Sequence, residues 1–272
     1  MPEGHVLHRA ARLQGKRFNG KVVEMTSPQG RFREGADRLN GQMLETIEAK
    51  GKHLFYRFDS GDELHVHLGL FGKFRVQKLP DEGEAPLSVS PNCRVLMSTD
   101  TDRLHLAGPN QCEVLEPWEA DAVRARLGPD PIQAPADGAE QFYDLLQRRS
   151  IPIGKAIMVQ EIICGIGNIY RSELLFQIGL DPWIRSKDVP PDTVEQLWEQ
   201  SVLELKAGEK IGKIITTEPG DFGREKRRDL KRGERLYVYK RHGQECRRCG
   251  DQIVARDIDG RHVWWCPSCQ PS

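Results

Sequence analysis

The chain has 272 residues, 38% of them apolar and 29% charged, with 40 acidic side chains balanced by 40 Lys and Arg. That composition excludes a disordered chain, and no apolar run approaches the roughly 20 residues of a membrane span. The early charges and missing apolar segment at the N-terminus do not read as a signal peptide, so a cytoplasmic protein with no membrane partner is expected.

Val6, Leu7, Ala10 and Leu13 recur at helical spacing and predict a short N-terminal helix. From about Val22 to Leu115 the chain reads as short alternating runs broken by Gly, Pro and Asp, with Leu54 to Phe58, Leu64 to Leu70 and Lys73 to Gln77 strand-like. This is the pattern of an antiparallel sandwich or barrel. After the proline-rich boundary Leu127-Gly128-Pro129-Asp130-Pro131 the pattern turns helical, through Ala156 to Phe176 and Thr193 to Lys206. A charged connector, Pro219 to Glu234, then leads to Leu236-Tyr237-Val238-Tyr239 and a cysteine cluster. The expected fold class is multidomain α+β, divided as 1–125, 126–235 and 236–272.

The zero net charge argues against a nucleic-acid partner only as an average. Between Arg224 and Arg248 there are eleven Lys or Arg against four acids, a local excess of 11 − 4 = +7. Such a stretch either binds a polyanion or is a solvated loop.

Seven cysteines include four in the spacing Cys246-x2-Cys249, sixteen residues, Cys266-x2-Cys269. Two thiolate knuckles separated by enough chain for one hairpin suit a tetrahedral zinc ion, against the alternative of four reduced thiols without metal. Gln252 to Ala255 and His262 to Trp265 can pair across Ile258-Asp259-Gly260-Arg261, where Asp-Gly fits a tight primed turn. With four protein thiolates the metal is structural, and catalysis belongs elsewhere. Arg261, near the hairpin tip, either enters a groove of a nucleic acid or is solvated.

Cys164-Gly165-Ile166-Gly167-Asn168-Ile169-Tyr170-Arg171-Ser172-Glu173 places two glycines in a turn just before a helix. Such a turn can hold backbone amides and Asn168 against a phosphate, or be no more than a tight turn.

Taken together with Met1-Pro2-Glu3-Gly4, Gly51-Lys52, His67-Leu68-Gly69-Leu70-Phe71-Gly72 and Cys266-Pro267-Ser268-Cys269-Gln270, the chain resembles, over essentially its whole length, the formamidopyrimidine-DNA glycosylase and endonuclease VIII family. The resemblance implies an N-terminal antiparallel β-sandwich with a nucleophile-bearing helix, a helix-two-turn-helix domain and a C-terminal zinc ribbon hairpin. It also implies a monomeric enzyme of base excision repair, a DNA glycosylase and abasic-site lyase acting on damaged double-stranded DNA.

On that resemblance Pro2 is the nucleophile, its secondary amine exposed once Met1 is removed. An α-amino group titrates near pH 7.7 to 8, and the positive end of the helix expected to begin here lowers that further, leaving free base at neutral pH. Glu3 is the expected proton donor and acceptor beside it, and Lys52 the lysine that contacts backbone phosphate and assists catalysis. A flipped base leaves a gap that Leu70 and Phe71 would fill as a wedge, unless they are sandwich core. Asn168 and Arg261, with Lys155 as a further candidate, would grip the flanking phosphates.

Two departures matter. Many family members carry Glu-x-Pro-Glu after the nucleophile, whereas Glu3-Gly4-His5-Val6 lacks the second acid, leaving His5 as a substitute or as a structural residue. Leu104 to Val114 also lacks the Arg-x-Phe pair of guanine-lesion enzymes, which favours the endonuclease VIII branch and oxidised pyrimidines such as thymine glycol and dihydrouracil. An oxidised-purine (8-oxoguanine or formamidopyrimidine) glycosylase on the same fold and a non-catalytic zinc protein that binds damaged DNA are the competing readings.

Overall fold

The structure, a computed structural model, describes residues 2–79 and 88–271. In chain order its elements are α1 (Gly4–Phe18), β1 (Lys21–Val22), β2 (Glu24–Thr26), α2 (Arg33–Leu39), β3 (Met43–Lys50), β4 (His53–Phe58), β5 (Glu63–His67), β6 (Lys73–Lys78), β7 (Cys93–Ser98), β8 (Asp102–Ala107), β9 (Gln111–Leu115), α3 (Pro117–Ala125), α4 (Gly138–Gln147), α5 (Ile153–Ala156), α6 (Asn168–Gln177), α7 (Pro191–Ile211), β10 (Val254–Ile258) and β11 (Arg261–Trp265). They fall into two compact units. One takes in Pro2 and Val6–Arg126, the other Glu3–His5 and the chain from Leu127 onward.

The first unit is a sandwich of two antiparallel sheets, ordered β1-β3-β4-β5-β9 and β2-β7-β8-β6. Alternation decides which side chains meet between them. Along β4, Leu54, Tyr56 and Phe58 enter the core with Leu64 and Val66 of β5, opposite Val95, Met97, Leu104 and Leu106 of the second sheet. Leu7, Ala11 and Phe18 of α1 close the same core, each large apolar side chain contributing about 1.5–3 kcal/mol by leaving water. The β4 residues between them, His53, Phe55 and Arg57, face the other way.

The sequence reading of an N-terminal helix and a sandwich holds, with two corrections in detail. Strand β5 stops at His67 instead of running to Leu70, because Gly69 turns the chain at φ 63° and the Gly72 N–H closes on the Leu68 carbonyl at 3.0 Å. A helix, α2, interrupts the stretch read as strands from Val22 onward. The two-glycine turn read from the sequence lies within Ala156 to Phe176, between α5 and α6, with α6 beginning at Asn168 as expected.

The second unit is helical around Phe142, Leu146, Ile157, Ile163, Ile166, Leu174, Leu197 and Leu205. A smaller core of Phe176, Tyr237, Val238, Ile253 and Trp264 lies beneath the β10–β11 hairpin, which pairs from Val254↔Trp265 to Ile258↔Arg261. Asp259 and Gly260 make its two-residue turn with φ of 50° and 74°, the primed geometry read from Asp-Gly. Among the described residues no helix is long and apolar enough to cross a membrane.

Candidate active site

In the second unit, the glycine turn is occupied by the protein's own N-terminal segment. The Gly4 N–H donates to the Gly165 carbonyl at 2.8 Å. The Glu3 carboxylate accepts three backbone N–H groups at the start of α6: Gly167 at 3.0 Å, Ile169 at 2.8 Å and Tyr170 at 3.2 Å. Glu3 is fully buried. A carboxylate there satisfies amides that a helix cannot bond internally and sits at the positive end of its dipole. These amides, read from sequence as able to hold a phosphate, are therefore held by Glu3. Gly167 is required for space: a Cβ there would lie 2.4 Å from Glu3 Cδ.

Next in the chain, the His5 ring is buried and meets Tyr170 edge-on, with centroids 5.4 Å apart. That placement accounts for His5 as a packing residue. Tyr170 in turn donates to the Glu204 carbonyl of α7 at 3.3 Å.

In the first unit, Pro2 lines a cavity of about 510 Å³ with Val6, Leu68, Gly72, Phe74 and Val76, and with Arg9, Arg17 and Lys73 contributing charge. Val6 contributes an apolar side chain to this wall. Met1 lies outside the described residues. Beside the cavity, in the turn after β5, Leu70 is 58% and Phe71 85% exposed. They are not sandwich core.

Lys52 lies in the β3–β4 turn after Gly51, half-buried, and adjoins His53, which pairs with His67 across the sheet. Burial, reinforced by His65, His67 and Lys52, pushes the His53 pKa down to about 3, and burial followed by Lys52 lowers that of His67.

The other expected DNA-facing residues belong to the second unit. Asn168 opens α6 and is nearly buried, its Oδ1 accepting from Arg171. Arg171 is 1% exposed and also donates to the carbonyls of Gly154 at 3.3 Å, Arg261 at 3.3 Å and His262 at 2.9 Å. One guanidinium thus fastens the hairpin strand carrying Arg261 to α6, a task for five fixed donors. Burial, with the nearby Arg261 charge, lowers the Arg171 pKa to about 10. The Arg261 side chain itself is exposed, and Lys155 is ion-paired with Asp259 of the hairpin turn.

Glu173, one turn further along α6, is fully buried and accepts the N–H groups of Tyr237, Val238 and Tyr239 at 2.8, 2.9 and 2.8 Å, together with the Thr216 hydroxyl. It fixes the segment leading into the cysteine cluster. There the four Sγ atoms of Cys246, Cys249, Cys266 and Cys269 lie within 4.8 Å of one another, with 3.8 Å between Cys246 and Cys269 and 3.4 Å between Cys249 and Cys266. Tetrahedral zinc with sulfur ligands at about 2.3 Å sets its sulfurs about 3.8 Å apart, so the donor set fits such an ion. The Arg248 N–H points at Cys246 Sγ at 3.4 Å, the kind of contact that favours a thiolate.

A model described as the formamidopyrimidine-DNA glycosylase N-terminal domain matches residues 1–112, and one described as the formamidopyrimidine-DNA glycosylase H2TH domain matches residues 127–219. The protein named endonuclease 8 1 of Mycobacterium tuberculosis (strain ATCC 25618 / H37Rv) is 41% identical over 271 residues, covering 99% of this chain and 100% of that protein. The chain belongs to the formamidopyrimidine-DNA glycosylase and endonuclease 8 family. Another family member, the formamidopyrimidine-DNA glycosylase of Alkalilimnicola ehrlichii, is 32% identical over 281 residues, with 99% of each protein covered. The fold is shared with Lactococcus lactis Fpg (MutM), solved in complex with DNA containing N7-benzyl-Fapy-dG. The TM-score is 0.80, at 23% identity over the whole of both chains.

Within this family fold, the structure brings Glu3 onto the glycine turn and gathers Asn168, Lys155 and Arg261 around Arg171. The positioning roles of Arg171 and Glu173 were not legible as such. Their signal was only that two charged residues follow Asn168 within a stretch otherwise buried.

Proposed function

We propose that this chain is a DNA glycosylase and abasic-site lyase of base excision repair whose nucleophile is the Pro2 amine. The observation that carries the reading is the fixation of Glu3. Three backbone hydrogen bonds and full burial immobilise the residue bonded to Pro2, and Pro2 itself borders a cavity. A nucleophile held in place before substrate arrives has less conformational freedom to lose.

The Pro2 lone pair attacks C1′ of the flipped nucleotide, and the C1′–N bond breaks with its electrons leaving on the base, which takes up a proton. The amine nitrogen sheds its own proton, the C1′–O4′ bond breaks as O4′ is protonated, and the nitrogen lone pair closes the C1′=N bond of an iminium cation. Because the amine is secondary, the iminium stays cationic without a proton to lose. It acidifies the C2′ hydrogen, whose removal expels the 3′ phosphate by β-elimination. Glu3, an acceptor in the arrangement described, is the group that exchanges protons as the sugar opens. Lys52, Asn168 and Arg261 contact phosphate, Lys155 becomes available for it when released from Asp259, and the exposed Leu70 and Phe71 fill the vacated stack. The four cysteines hold one structural zinc that keeps the Arg261 hairpin rigid.

The preferred lesions are oxidised pyrimidines. The apolar wall at Val6 and the absence of an Arg-x-Phe pair in β8 and β9 support this reading, as does the greater identity to endonuclease 8 1 than to the formamidopyrimidine-DNA glycosylase above. Relative single-turnover rates on duplexes carrying thymine glycol or 8-oxoguanine test it, and faster excision of the guanine lesion would overturn it. The covalent chemistry is tested by borohydride trapping on abasic DNA.

A further inference from the structure

Strands β4, β5 and β9 place His53, His65 and Glu113 on the sheet face turned away from the sandwich core, in the register His53↔His67, Phe55↔His65 and His65↔Glu113. They form a continuous chain. Glu113 Oε1 lies 3.0 Å from His65 Nδ1, and His65 Nε2 lies 2.8 Å from His53 Nδ1, with the two imidazole planes within 8°.

The polarity of this chain follows from its carboxylate end. An ionised carboxylate only accepts, so His65 Nδ1 carries a proton, and the neutral ring then offers Nε2 as an acceptor. His53 Nδ1 must donate to it. A neutral His53 is left with a lone pair on Nε2. Burial, the leading cause in each case, keeps both rings neutral, with His53 not protonating until about pH 3.

Charged groups from several elements face this chain. Glu63 of β5 is paired with Arg124 of α3, whose carbonyl accepts from the Lys50 ammonium of β3 at 3.0 Å. Arg126 acts on His53 from beyond α3, and His67 stands beside it on β5, its ring centroid 4.9 Å from that of His53. Lys52, next to His53 in the chain, depresses the basicity of both His53 and His67.

We propose that Glu113 and His65 are positioning residues for Lys52: together they lock His53 in the tautomer that presents a lone pair, a permanent acceptor beside the lysine ammonium. The opposite tautomer would present an N–H to a cation. The relay therefore holds a neutral, correctly polarised partner for Lys52 throughout the pH range in which the amine chemistry runs. Glu113, exposed at its outer end, does not line the cavity bordered by Pro2. The proposal rests on the reading of Lys52 as a phosphate-contacting residue of a Pro2 glycosylase.

The test uses the full-length zinc-bound protein, with labelled imidazoles for nitrogen NMR and an abasic duplex for borohydride trapping. In the native protein His53 and His65 are expected as neutral Nδ1–H tautomers at neutral pH and above. Glu113→Leu, at an exposed position, removes the anchor. It should populate the opposite tautomers and slow single-turnover adduct formation about tenfold, with duplex affinity unchanged within about twofold. Glu113→Gln keeps an oxygen that accepts from His65 and should recover most of that rate. Equal slowing by Leu and Gln, or a native rate in Glu113→Leu, would overturn the relay. Failure of the native protein to form any adduct would instead overturn the Pro2 reading on which it rests.

Discussion

The Glu3 carboxylate and the Gly167 backbone occupy one another's only available space: the Gly167 N–H donates to Glu3 at 3.0 Å, and a Cβ on residue 167 would fall 2.4 Å from Glu3 Cδ. Glycine here is a matter of volume, since its φ of −121° suits any residue. Gly167→Ala should therefore displace Glu3. With several hydrogen bonds to an ionised acceptor disturbed, we expect a loss of about 3 kcal/mol in stability and at least a tenfold slower adduct formation. Thermal unfolding and single-turnover trapping measure the two effects. A variant as stable and as fast as the native protein would contradict this account of the turn.

Arg171 makes the analogous prediction for the hairpin. Lysine retains the charge but cannot reproduce bonds to Asn168 and to the carbonyls of Gly154, Arg261 and His262 at once. Arg171→Lys should weaken binding of an abasic-analogue duplex about tenfold by loosening Arg261, while borohydride trapping at saturating DNA continues. Native affinity in a direct titration would show that the hairpin needs no such fastening.

For the cysteine cluster, elemental analysis should find one zinc per chain, released by a strong chelator. Cys249→Ser, at the most exposed of the four ligands, should lower both zinc occupancy and duplex affinity. Pro2 chemistry should survive in it. Full affinity in a zinc-free protein would remove the metal from the function.

The histidines of the first sheet predict a pH dependence. The pKa of His53 falls from 6.5 to about 3 on folding, and those of His65 and His67 are lowered as well, burial being the leading cause for all three. The unfolded chain then binds more protons than the folded one below about pH 6.5. Stability due to these groups is complete above that pH and is lost as pH falls toward 3, by at most about 1.4 kcal/mol per pH unit for each group. His53→Phe should flatten the acid limb of the melting-temperature profile relative to the native protein. Parallel profiles for the two proteins would contradict burial as the cause.

What was legible in the sequence divides by the range of the interaction. The cysteine spacing, the Asp-Gly hairpin and the alternation of β4 are local patterns, each with a physical reason contained within a few residues. The strand end at His67 was missed because Leu68 and Leu70 continue an apolar alternation that Gly69 alone interrupts. Glu3 as the cap of α6 joins residues more than 160 positions apart, and no period or spacing encodes such a pair. Glu173 beneath Tyr237–Tyr239, and Glu113 behind His65, were hidden for the same reason. The motifs marked candidate residues, while the folded chain shows which side chains hold one another in place.

The central claim, a covalent intermediate on the Pro2 amine, is tested most directly by borohydride reduction of the protein mixed with an abasic duplex, followed by peptide mapping of the adduct. We predict a stable protein–DNA species linked at Pro2, suppressed by Pro2→Gly and by blocking the N-terminus. No trapped species, or a linkage at Lys52 or another lysine in its place, would contradict it.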